Sequence, residues 1–186
     1  MKGRTRFMGK IIQISNYNIA KDDKMYREFL SDIRNKTKNI EDMPERAQDA
    51  LKYFQVTDFS LGVPIVEMLT KLGFKIYQSR LEPENLSAYI AINPQFEDTY
   101  GSNKIICVNI KDNIGHKKFA LAHELGHYLF DFNEDKNLYY YETYFAERGK
   151  DCLDESAGKI EERRANKFAA NLLMPEVEFK EKYEQL

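Results

Sequence analysis

The sequence predicts an α+β domain, a small and mostly antiparallel sheet packed on helices, with a helical extension ahead of it. Two observations carry this. Three stretches in the middle of the chain have strand character, one clear helical pattern precedes them and two follow. The chain has 186 residues, 42% of them apolar, which suits one domain whose core needs no disulfide staples. We place the helical N-terminal extension at residues 1–59 and the main domain at residues 60–186.

In chain order, Tyr26, Phe29, Leu30 and Ile33 repeat at i, i+3, i+4 and i+7, the apolar stripe of a helix that Asp22 or Asp23 can cap and that ends near Asn39. A second helix is expected after Pro44, through Ala47, Ala50 and Leu51 to Phe54. Pro64 suits the first position of a third, because proline has no N–H to leave unpaired there. Ile65, Leu69 and Leu72 line its inner side and Gly73 stops it. "FKIYQS" (74–79) alternates as a half-buried strand does. "SAYIAI" (87–92) is a second strand, limited by Pro94. "KIICVNI" (104–110) is nearly continuous in apolar residues and is the third. It is either an edge available to an extended substrate or a central strand. Asp112 or Asn113 can cap a helix running from about Gly115 to Phe130. Ala165, Phe168, Ala169, Leu172 and Leu173 stripe a last long helix that Pro175 interrupts, and a short amphipathic tail follows.

Composition excludes several classes. The net charge is −2, without the basic balance of a dedicated nucleic-acid binder, so no direct nucleic-acid contact is expected. Cys107 and Cys152 form neither a disulfide framework nor a CxxC thiolate cluster. The basic start MKGRTRFMGK is not followed by an apolar signal core, and no apolar run is long enough to span a bilayer. A cytoplasmic protein without a membrane partner is expected.

The chemistry is concentrated in "FALAHELGHYLF" (119–130). His123 and His127 are one helical turn apart, so both imidazoles can reach one ion. Glu124 projects about 100° further round the helix. That is too far to ligate beside them but well placed to touch a water on the metal. Gly126 inside a helix costs about 1 kcal/mol against alanine, which points to a close approach by another backbone or by substrate.

Five residues recur by chance, so a third ligand decides. His116 lies two turns before His123, about 10.5 Å along the axis, and cannot share the ion. Cys152 falls in a polar, loop-like stretch. Glu161 and Glu162 open the last helix, about 40° to one side of Ala165 and about 60° to the other, and periodicity alone does not choose between them. Asn166 follows Glu162 at i+4 and can accept the second ring N–H of a metal histidine, which favours Glu162.

"FALAHELGHYLF" with the downstream "EERRANKFAANLLMP" resembles the ImmA/IrrE family of metallopeptidase-like proteins. An AHELGH helix is paired there with a later E-x-x-A-N-x-F-A-x-x-L-L-M-P helix, which matches residues 162–175. The resemblance covers roughly residues 60–175 and selects Glu162 as third ligand. The family often carries a glutamate just before the alanine. Arg164 stands there in this chain, a departure we expect to be neutral. The resemblance implies a zincin-like core holding one Zn2+ per chain. It also implies a role in regulation in bacteria, phages and mobile elements, with a helix-turn-helix repressor as protein substrate.

The expected chemistry is peptide hydrolysis, with His123, His127 and Glu162 as ligands and Glu124 as the acid–base catalyst. Among Tyr139, Tyr140, Tyr141 and Tyr144, between the two metal helices, the last three are candidate oxyanion donors. Most of these tyrosines are expected to serve in packing. The competing expectation is a regulatory binding module that keeps the zinc fold without catalysis.

Overall fold

Apolar periodicity and the glycine stop at Gly73 set the framework, and the computed structural model follows it closely. It describes residues 10–11, 24–82, 86–132, 144–147 and 157–176, with the backbone alone at 10–11, 144–147 and 157–159. Among these, α1 spans Lys24–Lys36, a single 3-10 turn Ile40–Asp42, α2 Met43–Tyr53 and α3 Ile65–Lys71. Strands β2 (Lys75–Ser79), β3 (Leu86–Ile92) and β4 (Lys104–Asn109) are the three read from sequence. The short helix α4 (Phe96–Tyr100) lies between β3 and β4, α5 is Ile114–Phe130 and α6 is Ala157–Leu173. Strands β1 (Lys10–Ile11) and β5 (Tyr144–Glu147) were not anticipated. The amphipathic tail and the Asp22 or Asp23 cap fall outside the described residues.

The strand order is β1-β2-β4-β3-β5. Only the β2–β4 pair is parallel, Ile76 opposite Ile106 and Gln78 opposite Val108; the other three pairings are antiparallel. The fold is therefore α+β with a mostly antiparallel sheet. Strand β4 is central, which settles the choice left open for it, and its six residues are all buried. A strand covered on both faces has no solvent side on which to place polar residues, hence the unbroken apolar run. Its last residue, Asn109, is also fully buried and is satisfied locally: Nδ2 donates to Leu86 O at 2.8 Å, and Oδ1 accepts from the Lys111 N–H at 3.1 Å.

Alternation along the strands divides the core. Ala88, Ile90, Ile106 and Val108 face the helices and join one large cluster with α1, α2, α3, α5 and α6. Leu86, Tyr89 and Cys107 form a smaller cluster on the other side, where the Tyr100 ring of α4 meets Tyr77 edge-on at 5.3 Å. Burial there pushes the Cys107 thiol up to about 11, which suits an unreactive core residue, and it joins no metal-ligand group among the described residues.

One helix end differs by one residue from expectation, and the choice left open at another is resolved. Pro64 occupies the cap of α3 and not its first turn, a shift within the ordinary fraying of helix ends. Asn113, not Asp112, caps α5, accepting the His116 N–H at 2.9 Å. Gly73 takes φ 85 after α3, as a stop glycine should. The C-terminus of α5 is closed from outside: Arg34 on α1 donates from Nε to Leu129 O at 2.7 Å and from Nη2 to Tyr128 O at 3.2 Å. These are orphan carbonyls of the last turn, and a guanidinium also suits the negative end of the helix dipole. Nearby, the Tyr128 hydroxyl meets those of Tyr26 on α1 and the Lys104 ammonium on β4 in a buried polar contact.

Candidate metal centre

Helix α5 lies beneath β3 and β4, and α6 crosses it. The crossing is close because Gly126 leaves room. A Cβ there would stand 3.1 Å from the Ala165 Cα and 3.2 Å from Phe168 Cδ1. The glycine anticipated as a point of close approach thus receives the α6 backbone itself. Gly126→Val should force the helices apart and destabilise the metal-free protein by about 1–3 kcal/mol. Urea unfolding midpoints of the two proteins measure this. An unchanged midpoint would mean that the crossing is not tight.

This approach brings Glu162, in the second turn of α6, onto the α5 histidines. His123 Nε2 and His127 Nε2 are 3.0 Å apart. Glu162 Oε2 lies 3.3 Å from the first and Oε1 3.2 Å from the second. One ligand atom from each of the three residues can be chosen within 4.8 Å of the others, the only such group of His, Cys, Asp and Glu among the described residues. Glu161, the alternative that periodicity left open, is not part of it, and His116 is exposed at the far end of α5.

The outer nitrogens of both rings are engaged. His123 Nδ1 is 2.9 Å from Asn166 Oδ1, the partner read from the i+4 spacing after Glu162. His127 Nδ1 is 2.7 Å from Asp131 Oδ2. A carboxylate can only accept, so the His127 proton sits on Nδ1 and its Nε2 lone pair points inward. The same logic at Asn166 Oδ1 turns the His123 lone pair inward. With a cation bound, two imidazole lone pairs and a carboxylate would face one point; without it, an N–H at the inner nitrogens donates to Glu162 instead. The donor set and its outer acceptors fit a divalent metal of the zinc type.

Asp131 was missed in the sequence, although it stands at i+4 from His127 and so on the same helix face. Its side chain is almost fully buried, and its other oxygen, Oδ1, accepts from Arg164 Nη2. Arg164, expected to be neutral, therefore belongs to the surroundings of the site. Its guanidinium also lies over the Phe130 ring, 6.0 Å from the centroid.

Glu124 is completely buried, and neither of its oxygens makes a hydrogen bond of ordinary geometry among the described residues. Burial pushes its carboxyl up to about 8; His127 opposes the shift, Glu162 adds to it, and the nearby Ile90 backbone opposes it. Glu162 goes the other way. Burial raises it, but hydrogen bonds from His123 and His127 outweigh that and hold it down at about 2. Two carboxylates within one site thus have opposed proton affinities, a common mark of divided labour. Of the candidate oxyanion donors, Tyr140 and Tyr141 lie outside the described residues, as do Tyr139 and Cys152; Tyr144 opens β5, where only the backbone is described.

No helix among the described residues is long and apolar enough to cross a membrane. No curated protein matches the chain. A family model described as the IrrE N-terminal-like domain, a peptidase family, matches residues 69–186. The match begins inside α3 and takes in both α5 and α6. It spans well over half of the sequence, and the chain accordingly belongs to the ImmA/IrrE family of metallopeptidases.

Proposed function

We propose that this protein is a zinc-dependent endopeptidase of narrow specificity that acts on a regulatory protein. The observation that carries the reading is the convergence of His123, His127 and Glu162 beside a buried, unliganded Glu124. Structural zinc sites fill all four positions with protein ligands, whereas catalytic ones use three and leave one open. Zinc held by these residues would supply Lewis acidity and make a water acidic enough to be deprotonated near neutral pH. A divalent charge held beside it would favour the ionised form of Glu124, which then takes the proton as the water oxygen bonds to the peptide carbonyl carbon. Glu124 returns a proton to the amide nitrogen as the C–N bond breaks, leaving a carboxylate and a free amine. The outer bonds of Asn166 and Asp131 hold the two rings fixed during this exchange.

The family resemblance makes a helix-turn-helix repressor the candidate substrate, and cysteine usage without a disulfide framework fits the reducing cytoplasm as the place of action. A second reading, a zinc-containing binding module, is favoured by one observation: Glu124 is so deeply buried that substrate must be brought to it. The test begins with the metal. Protein purified without chelator should carry about one zinc per chain, as the three-ligand site requires. It should lose cleavage of a co-expressed repressor on chelation and regain it on zinc addition. Failure to take up zinc even when it is supplied would sink both readings.

A further inference from the structure

We propose that Arg164 is a positioning residue for the metal site, acting on His127 through Asp131. The inference rests on the reading of His123, His127 and Glu162 as metal ligands, and adds a residue to it.

Helix α6 presents Glu162, Arg164 and Asn166 at alternate positions, and each reaches α5 by a different route. Glu162 meets both inner nitrogens, at 3.3 and 3.2 Å. Asn166 meets the outer nitrogen of His123 directly at 2.9 Å. The outer nitrogen of His127 is instead served from the C-cap of α5, by Asp131 at 2.7 Å, and Arg164 grips the opposite oxygen of that carboxylate. The two histidines are therefore both tied to α6, one by a single bond and the other by a two-link chain.

A carboxylate with one partner can swing about its last torsion. One whose two oxygens are held from opposite sides cannot, and the ring it accepts from is fixed with it. Asp131 is nearly fully buried, so water offers little alternative to Arg164. Arg164 is itself partly buried, and its plane is steadied by the Phe130 ring. Because the guanidinium and Glu162 share a helix, any displacement of α6 moves the third ligand and the His127 support together. Binding geometry is in this way preset before the ion arrives.

The test is a double-mutant cycle on the full chain, read by metal affinity and not by proteolysis. Wild type, Arg164→Met, Asp131→Asn and the double variant are titrated with zinc against a chromophoric chelator, and the absorption of cobalt(II) in the same site is recorded. Loss of outer partners of metal histidines typically weakens binding 10–100-fold. We expect a loss of about that size for Asp131→Asn, a smaller one of roughly 10-fold for Arg164→Met, and a double variant no weaker than Asp131→Asn alone. The cobalt band should shift in Arg164→Met, which a merely structural role would leave unmoved. If Arg164→Met does not fold, Arg164→Lys carries the test. It keeps the charge without the fork, so its zinc binding should fall between wild type and Asp131→Asn. Affinity within twofold of wild type, or losses that simply add, would overturn the proposal while leaving the metal site standing. A wild-type chain that takes up no zinc overturns both.

Discussion

Glu124→Gln should keep the metal and the fold and lose peptide hydrolysis by roughly 10²–10⁴-fold, the contribution of a positioned acid–base group. The two side chains are nearly isosteric, so the buried site should not collapse. Zinc content, circular dichroism and cleavage of a co-expressed repressor measure the three parts. If cellular activity survives the substitution, proteolysis is not the basis of that activity and the binding-module reading takes its place.

The same substitution has a pH signature in the metal-free protein. The Glu124 carboxyl is raised from 4.5 to about 8 in the fold. Below pH 4.5 it is protonated whether the chain is folded or unfolded, and no penalty arises. Between 4.5 and 8 the unfolded chain gives up the proton while the folded one keeps it, so stability falls as pH rises through this window. By pH 7 the cost is roughly 3 kcal/mol. Metal-free Glu124→Gln should therefore melt higher than metal-free wild type at pH 7, with the gap closing toward pH 4. A constant gap across that range would mean that Glu124 keeps an ordinary pKa.

Glu162→Ala should cost zinc affinity more than about 100-fold, beyond the range seen for outer partners. Glu161→Ala should leave it within a few-fold. The pair separates two adjacent carboxylates that helical periodicity leaves equivalent. Glu162 is the one held below the usual carboxylate range, with the sign opposite to Glu124. Its contribution to metal-free stability is present above pH 4.5 and fades as pH falls toward 2. The side chain is 38% exposed, so solvent screening keeps that contribution small. Chelator competition with the two alanine variants decides the matter, and equal losses would argue against Glu162 as the ligand.

What could be read in advance followed from local periodicity. The stripes of α1, α2, α3 and α6 rest on a spacing of 3.6 and β2 on one of 2, which burial of one face imposes; β4, buried throughout, showed instead as an unbroken apolar run, and α5 by its cap and the histidine spacing. Helix α4 was missed because five residues are too few to show a period; it depends on Asn93 Oδ1 accepting the Gln95 N–H at 2.9 Å and on the left-handed Gly101. The two-residue β1 and the four-residue β5 carry no pattern of their own and are strands only because β2 and β3 offer them edges. The parallel β2–β4 pairing is likewise a long-range fact with no local signature.

In the candidate site, the histidine pair and Glu124 were legible from spacing alone. Glu162 needed Asn166 or the family resemblance to separate it from Glu161. Asp131 was within reach of the rule already used, since it repeats the i+4 interval after His127. Arg164 was not, because its partner lies on another helix and nothing in its neighbours betrays the pairing.

The seat of Arg34 on the last carbonyls of α5 bears on how the molecule comes apart. Tyr26, Leu30 and Ile33 of α1 share one buried cluster with Leu125, Leu129 and Phe168 of the two metal helices. Peeling α1 away would strip apolar cover from the metal helix and uncap its end in the same event. Loss of the N-terminal helix and loss of the site should thus be one cooperative transition, leaving no partly melted species that still holds its ligands in place.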